Sequence, residues 1–143
     1  MKIYSLNEVL QAAQTYPADK PMVYFLLDKN DVIYVGQASC LASAWSRIKH
    51  HRKSGRHFKK FDRFAWFSID GDPNTVEAVN IVEYNPRHNF QLPQQEVWKS
   101  IGTLARDAGM TIGKLRKHLH RNGVSPTKFQ QFYTVKDVIN TFS

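Results

Sequence analysis

Two short runs of apolar, β-branched and aromatic residues, 23–27 and 32–35, flank the polar cluster Asp28-Lys29-Asn30-Asp31. That pattern predicts a β-hairpin. Each run carries a tyrosine, Tyr24 and Tyr34, and side chains alternate faces along a strand. A three-residue loop with Asn30 in the left-handed region sets the two phenols opposite each other on one face, whereas a two- or four-residue loop sets them on opposite faces. Ahead of the hairpin, Ser5 and Glu8 have capping-box spacing, and Leu6, Val9, Leu10 and Ala13 share one face, so residues 5–15 predict a helix that Pro17 and Pro21 end. After the hairpin, residues 37–53 read as a helix, small side chains early and basic ones late, with Arg47 and His51 four apart on one face. Residues 61–69, with Phe64, Trp66 and Phe67, predict a third strand. Asp72 as N-cap and Pro73 at the first helical position open a helix that Asn85-Pro86 stops. Val76, Val79 and Val82 are expected on its core face, with Glu77 and Ile81 on a neighbouring one. The fold class expected is α+β, a three-stranded antiparallel sheet flanked by helices.

From residue 90 the pattern changes. Residues 90–96 read as a linker. Ser100 can cap a helix holding Leu104, Ala105 and Ala108, Gly109-Met110-Thr111 turns, and Ile112, Leu115 and Leu119 define a second apolar face. Ala105, Gly109 and Leu115 fall at the offsets of a helix-turn-helix, where a small residue lets helices cross and a glycine takes the left-handed turn. Lys114, Lys117 and Arg121 project opposite that stripe, as on the outer face of a recognition helix. Asn122-Gly123 ends this helix, and Thr134 with Asp137 opens a last one. The expected division is 1–92, with the sheet, and 93–143, a small all-α domain. The segment Tyr133-Thr-Val-Lys-Asp-Val-Ile-Asn echoes Tyr4-Ser-Leu-Asn-Glu-Val-Leu-Gln, as two similarly capped short helices would.

Composition narrows this picture. The chain has 143 residues, 42% apolar and 13% aromatic, enough for a real core and against wholesale disorder. No apolar run is long enough for a membrane span and no signal-peptide pattern opens the chain, so a cytoplasmic protein is expected. The lone Cys40 excludes an internal disulfide and a cysteine-rich zinc site. Net charge is +8, and its placement says more than its size. Between residues 47 and 63 eight Arg or Lys face one acid, Asp62, while residues 93–143 hold 8 basic and 3 acidic side chains. Clustering of this kind marks an anion-binding surface, for which nucleic acid is the commonest partner. Lys49, Arg52, Lys53, Arg56, Lys59 and Lys60 in the first cluster, and Lys114, Lys117 and Arg121 in the second, are the expected DNA contacts.

The hairpin and the segment after it, to residue 90, resemble a known family, the GIY-YIG endonucleases. Val23-Tyr24 matches the end of the first motif and Tyr34-Val35-Gly36 the second. Arg47 stands where the family has a helical arginine, Glu77 where it has a glutamate, and Pro86-Arg87-His88-Asn89 matches a closing Pro-x-x-Asn. Glu77 lies nine residues before Pro86 and twelve before Asn89, the spacing of the excision-repair branch. The likeness spans residues 23–90. It departs from the family at Met22, where a glycine is missing, at Gln37, where many members have lysine, and in the eleven residues from Gly36 to Arg47, where about eight are usual; Arg52 is the alternative arginine.

The resemblance implies hydrolysis of DNA phosphodiesters. Such a reaction needs an activated water, charge neutralisation at the phosphate and help for the departing oxygen. It implies that Glu77 binds one divalent cation, Mg2+ with Mn2+ as substitute. Tyr34 would be the general base, Tyr24 its positioning partner, and Arg47 a phosphate clamp whose charge favours the phenolate. His51 could assist proton transfer and Asn89 would order the site. Gly36 matters for backbone geometry. A single site per chain implies a homodimer, or two successive events, to cut both strands. The competing reading is a regulatory or DNA-binding protein on a decayed GIY-YIG fold.

Overall fold

The computed structural model describes residues 2–17, 19–54, 61–129 and 131–143, the side chains of 50–54 excepted. The chain divides into two units, residues 1–89 and 90–143.

In the first unit the order is β1 (Ile3–Ser5), α1 (Leu6–Thr15), β2 (Met22–Asp28), β3 (Asp31–Ala38), α2 (Leu41–Ser54), β4 (Arg63–Ser68) and α3 (Pro73–Tyr84). The antiparallel sheet has four strands rather than three, in the order β1-β4-β2-β3. The added strand, β1, pairs Tyr4 with Phe64, and the Tyr4 ring stacks on Trp66 at 4.1 Å. Three residues leading straight into a capped helix carry too little alternation to register as a strand; a non-local aromatic contact makes it one. Ser5 ends β1 and caps α1, with the full capping box to Glu8 in place.

The hairpin departs from expectation in an instructive way. Its loop is two residues, with Lys29, not Asn30, at positive φ (57°). Alone, that loop would separate the tyrosines. The register shifts between Leu26 and Leu27, so that Leu27 pairs Val32 while Leu26 pairs Tyr34, leaving Ile33 as an extra residue in β3. This β-bulge reverses the alternation. Tyr24 therefore pairs with Gly36, and Tyr34 is its diagonal neighbour on the same face, ring centroids 6.2 Å apart.

One face of the sheet (Met22, Tyr24, Leu26, Phe64) packs with Val9 of α1 and Leu41, Ala44 and Ile48 of α2. On the other lies α3, with Tyr84 edge-on to Phe25 at 5.4 Å. Asp72 caps α3 and Pro73 opens it as the sequence predicts, but its buried residues are Ala78 and Ile81; Val79 is 43% exposed. The stripe 74-77-78-81 therefore faces inward, and this half-buries Glu77.

The second unit contains β5 (Trp98–Ser100), α4 (Ile101–Asp107), α5 (Ile112–Arg121), β6 (Phe132–Thr134) and α6 (Val135–Asn140). It is not all-α: β5 and β6 form an antiparallel ribbon. Each of these three-residue strands runs directly into a helix, as β1 does, and only their mutual pairing distinguishes them from coil. Ser100 caps α4 by accepting from Thr103 N–H, whereas Thr134, expected to open α6 as its cap, makes no side-chain capping bond. Ile101, Leu104, Ala105, Leu115, Leu119, Tyr133 and Val138 form the core. Gly109 (φ +66°) closes α4, Met110 N–H bonding back to Ala105 O and Gly109 N–H to Arg106 O, a Schellman end that needs the left-handed residue. Ile112, expected on the apolar stripe, is 43% exposed, because the core contact of α5 begins one turn later at Leu115. Lys114, Lys117 and Arg121 are exposed. Among the described residues no helix is long and apolar enough to cross a membrane.

Candidate active site

β3 is an edge strand, and the outward-facing groups of its backbone organise the site. An open edge needs partners. His88 N–H donates to Ile33 O at 3.0 Å. The Asn89 side chain serves Val35 twice, accepting from its N–H and donating to its carbonyl, both at 2.9 Å. Arg47 Nη1 donates to Gln37 O at 2.9 Å. The closing Pro-x-x-Asn segment thus acts as a short surrogate strand, and the arginine covers the next position along the edge. Asn89, 8% exposed, is a positioning residue with both ends of its amide committed to backbone. Replacing it with alanine strands two groups of a fully buried residue, at a cost of about 2–4 kcal/mol. The expected result is a lower urea midpoint at unchanged m-value, with faster hydrogen exchange at Val35.

Tyr24 lies across Gly36. A Cβ built on that glycine would sit 2.5 Å from Tyr24 Cζ and 2.6 Å from its hydroxyl oxygen, so the glycine is required by the phenol above it. From there a chain of contacts runs through the site. The Tyr24 ring lies 6.2 Å from that of Tyr34, and the Arg47 charge acts on both phenols. Arg47 sits on α2, which begins only at Leu41 because Ala38 still belongs to β3; this late start accounts for the long interval from Gly36. On the far side of β3, Gln37 Nε2 donates to Glu77 Oε2 and to Asn74 Oδ1, each at 2.6 Å. Arg47 and Glu77 thus approach Gln37 from opposite faces of the sheet, one at its carbonyl and one at its amide.

The electrostatics follow from burial with one cation in reach. Burial holds the Glu77 carboxyl above the usual carboxylate range, opposed by the Gln37 hydrogen bond and the Arg47 charge. Burial likewise raises both phenols, and the Glu77 charge adds to this while Arg47 opposes it. The two are not equivalent. The hydrogen bond from Tyr24 favours ionisation of Tyr34, whereas Tyr34 itself pushes Tyr24 further up. Tyr34 is the phenol more readily deprotonated.

The structure therefore brings Tyr24, Tyr34, Gly36, Arg47 and Glu77 around the β3 edge, and places Asn89 along that edge at Val35. Lys49 is exposed on α2, its Nζ 5.9 Å from the Trp45 ring centroid. The side chains of His51, Arg52 and Lys53, and all of Arg56, Lys59 and Lys60, lie outside the described residues. Sequence reasoning missed Asn74 and treated Gln37 only as an absent charge. Asn74 could have been found from its place three residues before Glu77 on one helix face.

Among the described residues no three His, Cys, Asp or Glu gather at one point. One half-buried carboxylate beside an amide oxygen is instead an all-oxygen donor set. It fits a hard cation such as Mg2+, which takes few protein ligands and keeps several waters.

What these elements define is a small α+β unit with paired phenols, a guanidinium and one carboxylate around the edge of an antiparallel sheet. Among solved structures, the chain is similar to the GIY-YIG N-terminal endonuclease domain of UvrC from Thermotoga maritima. A point mutant of that domain bound to its catalytic divalent cation is 21% identical, with a TM-score of 0.49 over 64% of this chain and 100% of that one. The magnesium-bound domain is 22% identical, with a TM-score of 0.48 over 62% of this chain and 99% of that one. No family model and no curated protein matches the chain.

Proposed function

We propose that the first unit is a divalent-metal-dependent DNA endonuclease and that the second directs it to DNA through a helix-turn-helix formed by α4 and α5. The observation that carries the reading is that Tyr24 and Tyr34 lie side by side while Arg47 meets the Gln37 carbonyl and Glu77 the Gln37 amide, all along one strand edge. The spacing of Glu77, Pro86 and Asn89 supports it independently. Tyr34 takes the proton of the attacking water, and Tyr24 holds Tyr34 and stabilises its phenolate by donating to it. Arg47 supplies the positive charge beside both phenols and grips a phosphate oxygen. Glu77, with Asn74 beside it, is the side chain that would hold Mg2+ or Mn2+, whose chemistry is to stabilise charge on the departing 3′-oxygen. His51 stands four residues beyond Arg47 on α2 as an auxiliary proton carrier. Lys49 and the basic residues that follow it in the sequence, Arg52, Lys53, Arg56, Lys59 and Lys60, are proposed to bind DNA phosphates. A homodimer, or two sequential nicks, completes a double-strand cut.

Supercoiled, linear and branched DNA incubated with the full chain and Mg2+ or Mn2+ is expected to be nicked or cut. Retained DNA binding with no cleavage of any substrate under either ion would overturn this reading. That outcome favours a binding protein on a decayed nuclease fold, for which the neutral Gln37 in a lysine's place is the specific indication.

For the second unit, α5 presents Lys114, Lys117 and Arg121 on its exposed face. Replacing all three with alanine is expected to weaken DNA binding and lower the slope of log K against log salt by about 2–3, close to one unit for each phosphate no longer neutralised. An unchanged slope by fluorescence anisotropy removes the recognition-helix assignment and leaves an αα-hairpin.

A further inference from the structure

We infer that Asn74 is the second protein oxygen of the cation site, and that the Gln37 side chain is a neutral clip which a divalent ion must displace to enter. The inference rests on the reading of Glu77 as the cation ligand. It stands on one geometric fact: Gln37 Nε2 lies 2.6 Å from Asn74 Oδ1 and 2.6 Å from Glu77 Oε2. Both oxygens are therefore aimed at a single point now held by an NH2 group. That group is a double donor of small size, and the arrangement it satisfies, two convergent oxygens of which one is anionic, is also what a small hard cation satisfies.

Three features make the convergence more than a surface hydrogen bond. Asn74 and Glu77 are three residues apart on α3, so the helix fixes their separation. Pro73 and the Asp72 cap, whose carboxylate accepts from both Thr75 N–H and Thr75 Oγ1, lock the first turn from which Asn74 projects. Gln37 is held from behind, its carbonyl accepting from Arg47 Nη1 at 2.9 Å and its strand position set by pairing with Val23. The oxygens are thus preorganised, and the amide is tethered to a strand that the Arg47 contact holds in place.

A lysine at position 37 would form an ion pair with Glu77 through a long, mobile stem. Glutamine forms instead a short, uncharged bridge that also engages Asn74. The amide neutralises no charge, so a cation gains electrostatically by taking its place, and the side chain can turn its own carbonyl oxygen toward the ion's hydration shell.

The test measures Mn2+ binding to the full chain without DNA, by the loss of the free-ion paramagnetic resonance signal and by calorimetry. Asn74→Ala is expected to raise Kd about 10-fold, Asn74→Asp to lower it about 10-fold, and Gln37→Met, which removes the competing amide at similar length, to lower it about 3-fold. The gain in Asn74→Asp cannot come from misfolding. Wild-type Kd in both Asn74 variants would overturn the role of Asn74, and weaker binding in Gln37→Met would overturn the displacement. Glu77→Ala is expected to abolish specific Mn2+ uptake. Wild-type uptake in that variant would instead sink the cation reading of Glu77 itself, a failure distinct from silent Asn74 variants beside an essential Glu77.

Discussion

Glu77→Ala is expected to lower the single-turnover cleavage rate by about a thousandfold or more while changing DNA affinity less than about threefold. The size follows from what the side chain does. Glu77 is the carboxylate on the inward stripe of α3 that reaches Gln37, and no cluster of other acids or histidines is available among the described residues to replace it. With Glu77 as the proposed cation ligand, its loss removes the charge that helps the leaving group, an interaction worth most in the transition state and little in binding. On the proposed function DNA affinity rests on lysines and arginines elsewhere and is nearly indifferent to it. Removing a carboxylate that burial already disfavours should not unfold the protein, so a normal melting curve is expected alongside the lost activity. Rate under saturating protein and affinity by anisotropy separate the two effects. Cleavage within about tenfold of wild type would mean that Glu77 is a hydrogen-bonding helix residue and nothing more.

The same helix illustrates what could and could not be read beforehand. Its start was legible because Asp72 and Pro73 are local signals whose physics is complete within four residues. Its buried face was not, because Val76, Val79 and Val82 are as apolar as Ala78 and Ile81, and which stripe meets the sheet depends on how α3 crosses β3. The tyrosine pair is a sharper case. The sequence leaves the faces of the two phenols to the loop length, and a two-residue turn alone should separate them; the bulge at Ile33 reverses the alternation and puts both on one face. A bulge leaves almost no trace in a single sequence, since the extra residue is an ordinary buried isoleucine. Gly36 was visible as a required glycine, but the reason, the Tyr24 ring lying over it, belongs to cross-strand packing. β1, β5 and β6 were invisible because three residues carry no period, and each is a strand only by virtue of its partner. Glu77 and Asn89 stand out by their spacing to Pro86, and Arg47 by its place on the helix after Gly36 despite the unusual interval. The Gln37–Asn74 bridge beside Glu77 required coordinates.

Cleavage is expected to quicken with pH across the whole neutral range, by close to tenfold per unit from about pH 6.5 to 9, without a plateau. An ordinary phenol ionises near pH 10. Burial and the Glu77 charge hold Tyr34 above that, and Arg47 with the Tyr24 hydrogen bond brings it only part of the way back. A raised pKa means a small phenolate fraction at neutrality that grows with each unit of pH until the pKa is passed, so the base-limited rate must rise. Toward acid Glu77, held above the ordinary carboxylate range by burial, takes up a proton sooner than an exposed glutamate would, and the fall in rate steepens. Arg47→Ala removes the main opposing charge. Its profile should therefore be displaced to higher pH, with a rate at pH 7.5 lower by about a hundredfold or more. Tyr34→Phe should lose about 10²–10⁴ in rate and, with it, the alkaline slope. Tyr24→Phe should keep the slope and move it upward, since Tyr24 then no longer donates to Tyr34. The two phenylalanine variants thus distinguish base from positioning partner by the shape of the curve rather than its height. A bell with its maximum near neutrality, or an unchanged slope in Tyr34→Phe, would take the proton from some other group, with His51 the first to examine.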